Sequence, residues 1–168
     1  MKTCLIIIDM QKGFINEHTR DLVEPLVNFL GNKKFDSVVA TRYINTPETA
    51  CYILEEWKSC MEGSDDTEIL PEILPFVERV FDKGKYSCWN DEFKDYIKSN
   101  QFDLLYFVGV NTGCCVLHSV FDAHNDVYDT RIIEDLCGSS SGTESHKAGI
   151  KILTDCLTSK RIIKSSEV

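Results

Sequence analysis

The chain has 168 residues, 43 % of them apolar and 27 % charged, with a formal net charge of −9. That composition suits a globular chain able to bury a core and excludes an intrinsically disordered one. The acidic balance sets the chain against phosphate backbones and anionic membranes, so neither a nucleic-acid nor a membrane partner is expected.

The length predicts a single domain over residues 1–168. The apolar run at the start spans only Cys4 to Ile8 before Asp9 interrupts it. This is too short for a secretory leader, and no stretch approaches the roughly 18 apolar residues of a membrane-spanning helix, so a cytoplasmic location is expected. Eight cysteines are too few for a disulfide scaffold of this size and read as free thiols in a reducing compartment. No CxxC pair occurs. Cys114 and His118 stand four apart, as two ligands on one helix face would, but no further ligands follow at metal-site spacing, and no metal is predicted.

In chain order, "CLIII" (4–8) has the unbroken apolar pattern of a buried strand. A helix starting near Thr19 follows, with Leu22, Leu26, Val27, Phe29 and Leu30 on one side and Gly31-Asn32 as its stop. "SVVATRY" (37–43) reads as the second strand. Pro47 opens a predicted helix through "ETACYILEEWKSC", where Ala50, Ile53, Leu54 and Trp57 recur at helical spacing. A polar connector leads to a third strand at "VERVF" (77–81), and Asn90 is placed to cap the helix "DEFKDYIKS". "LLYFVGV" (104–110) is the fourth strand, followed by a helix that begins at two adjacent cysteines. "TRIIED" (130–135), a helix over 144–157 and a last strand at "RIIKS" (161–165) complete the chain. Strands alternating with helices predict an α/β doubly wound, six-stranded and mostly parallel sheet of Rossmann-like type, order 3-2-1-4-5-6, with helices on both faces.

In such a sheet ligands bind beyond the carboxyl ends of the strands. Asp9 ends the first strand, Lys83 and Lys85 follow the third, and Cys114 and Cys115 lie where the fourth turns into its helix. A carboxylate directly after four apolar residues needs a partner. A thiol in the first turn of a helix meets free N–H groups and the positive end of the backbone dipole, which favours thiolate over thiol. Neighbouring helical residues point about 100° apart, so at most one of the two cysteines aims at a given pocket. Loops over 59–72 and 138–142 are placed to border it. There is no GxGxxG after the first strand and no GxxxxGK[ST] loop, which argues against a nucleotide binder.

Three blocks, "LIIIDMQKGF" (5–14), "KGKYSCW" (83–89) and "GVNTGCCV" (109–116), resemble in order and spacing the isochorismatase-like cysteine hydrolases, a superfamily that includes nicotinamidases, N-carbamoylsarcosine amidases and isochorismatases. The resemblance selects Lys83 over Lys85 and Cys115 over Cys114. It implies a triad of Cys115 as nucleophile, Asp9 as general base and Lys83 as the orienting cation, acting through a thioester on a small amide or related C–N bond. It also implies an oxyanion hole from the backbone N–H groups of Asn111 and Cys115, with a cis peptide between Val110 and Asn111, and a homodimer or homotetramer. Phe14, Tyr86, Trp89 and Asn111 are the candidates for lining a small-molecule substrate pocket. Nicotinamidases carry an Asp-x-His metal motif after the second strand, whereas the corresponding "TRYINTPETA" has no histidine, so the expectation is a metal-independent enzyme without a cofactor. A vinyl-ether hydrolase and a non-catalytic binding or scaffold member of the same fold are the alternatives.

Overall fold

The computed structural model describes all of residues 1–168. Six parallel strands form one sheet: β1 (Thr3–Ile8), β2 (Ser37–Tyr43), β3 (Arg79–Lys83), β4 (Leu104–Val110), β5 (Asp129–Gly138) and β6 (Ile162–Ile163), in spatial order β3-β2-β1-β4-β5-β6. The predicted order is thus observed, with every pairing parallel. The unbroken apolar run of β1 follows from burial on both faces. Cys4, Ile6 and Ile8 enter one core with Phe93, Val120 and Leu153, while Leu5 and Ile7 enter a second with Leu26, Phe29 and Ile73. The helix α1 (Val23–Asn32) therefore covers one face, and α3 (Asp91–Asn100), α4 (Leu117–Asn125) and α5 (Thr143–Leu157) cover the other. The Asn90 side chain caps α3 by accepting a hydrogen bond from the Phe93 N–H at 2.9 Å. No helix is long and apolar enough to cross a membrane.

Three elements depart from expectation. The helix predicted from Pro47 shrinks to one turn, α2 (Ala50–Ile53), and Glu56 at φ 53° lies outside helical geometry. Its expected apolar stripe does not form: Ile53 and Leu54 are 58 % and 73 % exposed, while Trp57 turns inward to stack on Phe14. The aromatic contact and the hydrogen bonds that Asn45 donates to the Trp57 and Ser59 carbonyls, at 2.7 and 3.1 Å, override local helical periodicity. Strand β3 begins and ends two residues later than predicted, so Lys83 is its last residue rather than a residue of the following turn. The two cysteines lie in a π-helical turn over Thr112–Val116 that leads into α4.

Candidate active site

Register sets the site. Ile8 pairs with Thr41 of β2 and with Gly109 of β4, and Tyr43 pairs with Lys83, which brings the ends of four adjacent strands to one level. Gly109, at φ 109°, permits this approach, since a Cβ there would stand 2.1 Å from the Ile8 carbonyl oxygen. At the end of β1 the chain turns at Asp9, φ 49°, a left-handed conformation that Asp tolerates better than most residues. Its N–H donates to the Thr41 carbonyl at 3.2 Å, and the Thr41 hydroxyl donates to Asp9 Oδ1 at 2.7 Å.

Lys83 Nζ lies 2.7 Å from Asp9 Oδ2, with the two side chains 1 % and 0 % exposed, and it donates to the Lys85 carbonyl at 3.1 Å. Asp9 Oδ2 thus faces the Lys83 ammonium directly, which favours the ionised carboxylate. The Cys115 thiol, 4 % exposed, lies within hydrogen-bonding reach of both groups. Burial alone would strip the charge from Lys83, but Asp9 and then Cys115 outweigh it and hold the ammonium above its ordinary range. For Cys115 the balance runs the other way. Burial first, and then the Asp9 carboxylate, push the thiol well above its usual value against the pull of Lys83. Desolvation and a neighbouring anion thus oppose the helix-start preference for thiolate and favour the protonated thiol.

The turn that carries Cys115 is held from three sides. The Ser119 hydroxyl donates to the Cys115 carbonyl at 2.7 Å and accepts from the Cys88 N–H at 3.0 Å, so the buried segment after β3 is tied to the same turn. The Thr112 hydroxyl donates to the Gly138 carbonyl at 2.8 Å. On α5, Gly149 lies so close to the turn that a Cβ would stand 2.7 Å from the Gly113 nitrogen. The Val110–Asn111 peptide is cis, as the resemblance implies, and the Asn111 N–H has no acceptor within the chain. The Asn111 side chain accepts from the Ser140 N–H at 2.6 Å, and the Ser140 carbonyl accepts from Asn16 Nδ2 at 2.8 Å, which laces the end of β4 to the loops after β5 and β1.

Above Cys115 opens a cavity of about 470 Å³. Phe14, Tyr86 and Asn111 line it as expected, together with Cys114 beside the buried thiol. Trp89 does not. Its ring packs against Phe93 and Tyr128, with centroids 5.5 and 5.4 Å away, and its indole N–H donates to Asp126 at 2.7 Å, so it anchors α3 to the end of α4 and borders only the neighbouring outer groove. Residues that the sequence did not single out for the pocket also line it: Tyr43, Cys51, Glu55, Trp57 and Asn16. Trp57 was legible only as one apolar position of a helix that does not form. Ser59 and Ser140, by contrast, come from the two loops expected to border a pocket.

No group of three or more His, Cys, Asp or Glu side chains is arranged to hold a metal ion, and the segment after β2, where an Asp-x-His pair would sit, offers no histidine. His118 Nδ1 lies 2.8 Å from the Cys114 carbonyl oxygen rather than sharing a ligand position with its thiol.

Comparison with known proteins agrees with this architecture. The Isochorismatase domain model matches residues 3–160. A nicotinamidase of Acinetobacter baylyi is 25 % identical over 171 residues, covering 79 % of each chain. Among solved structures, an isochorismatase-like hydrolase of Alkaliphilus metalliredigens superposes with a TM-score of 0.86 at 19 % identity, covering 99 % of this chain and 97 % of that one. An N-carbamoylsarcosine amidase of Thermoplasma acidophilum gives a TM-score of 0.82 at 21 % identity, covering 100 % and 99 %. With a family domain over nearly its whole length and a sheet of the same order, the chain belongs to the isochorismatase family of hydrolases, whose members similar to it include amidases.

Proposed function

We propose that the protein is a metal-independent cysteine hydrolase that cleaves a small amide or related C–N bond with Cys115, Asp9 and Lys83. The observation that carries this reading is a buried thiol, held toward its protonated form by burial and the Asp9 carboxylate, beside the buried Asp9–Lys83 pair at the base of a cavity large enough for a small molecule. A thiol in that state needs a base at the moment of attack, and Asp9 is placed to take its proton. The sulfur then bonds to the carbonyl carbon, and the carbonyl oxygen becomes an oxyanion received by the N–H groups of Asn111 and Cys115. Asp9 returns the proton to the leaving nitrogen as the C–N bond breaks, which leaves a thioester on Cys115. Water, deprotonated by Asp9, attacks the thioester, releasing the carboxylic acid and restoring the thiol. Lys83 remains charged throughout, orients Asp9 and favours its ionised form before each proton abstraction.

The test is hydrolysis of a panel of small primary amides and carbamoyl compounds by wild type, Cys115→Ala and Cys114→Ala, with and without a chelator. The expected result is a loss of at least about a thousandfold in Cys115→Ala, a change of no more than a few-fold in Cys114→Ala, and no effect of the chelator. Turnover retained by Cys115→Ala overturns the mechanism, and a protein that binds these compounds without turning any over is a binding member of the fold.

A further inference from the structure

The charge of the cavity wall distinguishes substrate classes. Glu55 is the one charged side chain that lines the cavity above Cys115, and it forms no ion pair within the chain. Lys83 and Asp9 lie buried beneath the floor and neutralise each other at 2.7 Å. No arginine, lysine or histidine reaches the cavity, while Lys85 and Lys83 border the neighbouring outer groove, beside Glu48 and Asp122. A carboxylate on the substrate would therefore meet no counter-charge and one like charge.

Four aromatic rings, Phe14, Tyr43, Trp57 and Tyr86, stand in the wall among small polar and thiol side chains. Phe14 and Trp57 stack with centroids 6.0 Å apart at 12°, and Tyr43 tilts against Trp57 at 5.7 Å and 58°. Tyr86, 43 % exposed, stands at the mouth, where it and Glu55 border both the cavity and the outer groove. The Lys83 ammonium already lies 5.1 Å from the Tyr43 ring centroid, so it is the Trp57 and Tyr86 rings, beside the unpaired Glu55 carboxylate, that can attract a further cation, above all a quaternary ammonium group that cannot be satisfied by hydrogen bonds. The net charge of −9 adds long-range attraction of the same sign.

We infer that the substrate is a small amide carrying a cationic, ammonium-type group, which the Glu55 carboxylate and the Trp57 and Tyr86 rings receive while the carbonyl lies at Cys115. This rests on the proposed amide hydrolysis for its chemistry, but the charge preference is measurable without turnover.

Three primary amides of matched length serve as probes: the amide of γ-butyrobetaine, its tert-butyl isostere with carbon in place of nitrogen, and glutaramate. Binding to the Cys115→Ala protein, followed by calorimetry, is expected to rank the cationic amide about tenfold tighter than the isostere, with glutaramate weakest. Glu55→Gln, an exposed substitution whose folding is checked by its urea midpoint, is expected to shrink that preference to about threefold or less. Equal or tighter binding of the isostere, tightest binding of glutaramate, no binding of the cationic amide, or a preference unchanged in Glu55→Gln each overturns the inference. Wild-type turnover separates it from the hydrolase reading. Preferential binding of the cationic amide without hydrolysis of any probe upholds the inference and counts against Cys115 chemistry, whereas hydrolysis that favours glutaramate does the reverse.

Discussion

The ends of β1, β3 and β4 and the connection over residues 44–78 face one cavity but are held in opposite ways. Asp9, Lys83 and the Cys115 turn are positioned by a continuous parallel ladder, in which each strand end is fixed by its neighbours' backbone. The connection has only the four residues of α2 and short single turns. Its shape rests on a few buried amide side chains. Gln11 donates to the carbonyls of Tyr43 and Thr67 at 3.0 and 2.9 Å and accepts from the Tyr43 N–H at 2.7 Å. Asn45 binds the carbonyls of Trp57 and Ser59, and its backbone exchanges bonds with Cys60 and Glu62 at 2.7 and 2.9 Å. Reacting groups thus stand on a rigid sheet, while the side chains that choose the substrate stand on a segment with little regular structure of its own.

The difference is broken most severely at its rigid end. Lys83→Met leaves Asp9 as an unpaired charge in the core and is expected to cost about 3–5 kcal/mol in urea unfolding, along with activity. Combining it with Asp9→Asn is expected to recover most of that stability and none of the turnover. A Lys83→Met protein as stable as wild type would mean that water or a rearrangement relieves Asp9, and that the pair is not a buried one.

The connection is broken at Asn45. Removing its side chain in Asn45→Ala orphans two carbonyls and is expected to cost about 1–3 kcal/mol. Because the lost bonds hold Trp57 and Ser59 rather than Cys115, KM is expected to rise several-fold with kcat changed less. Steady-state kinetics showing a fall in kcat alone would place Asn45 in control of the strand ends instead.

The smallest effect, per group and per pH unit, is expected from alkali. Burial pushes the thiols of Cys137, within β5, of Cys88, after β3, and of Cys60, in the connection, up to about 12, and raises those of Cys4 and Cys115 as well. In the unfolded chain they ionise near 9, so between about pH 9 and 12 the unfolded state binds fewer protons than the native one. Stability must then fall as pH rises through that window, by up to about 1.4 kcal/mol per pH unit for each thiol that keeps its proton. Urea midpoints measured across this range should show the decline, with a shallower slope in Cys88→Ala. A flat profile would mean that the native thiols ionise where the unfolded ones do.

Much of this was legible in the primary structure because it is written in short periods. The apolar run before Asp9 and the run "LLYFVGV" before the cysteines announce two central strands, and with them the sheet order. Trp57 and Trp89 show where such reading stops. Each is an aromatic residue near an element end. Trp57, one apolar position of an expected helix, lines the cavity, whereas Trp89, a candidate for lining it, serves the core. Nothing in their immediate neighbours distinguishes the two, since the partners that decide, Phe14 for one and Asp126 for the other, are distant in the chain.

The sequence by itself determined the alternation of strands and helices and the two loops beside the strand ends, because burial pattern and chain reversal are local properties, while its resemblance to a known family singled out Asp9, Lys83 and Cys115. Only the tertiary structure decided that α2 is a single turn, that Lys83 closes β3, that burial and Asp9 push the Cys115 thiol upward, and that four aromatic rings and one carboxylate meet in the cavity wall. Each of these depends on energies of desolvation and contact between residues far apart in the chain, and such energies arise only once the segments have met.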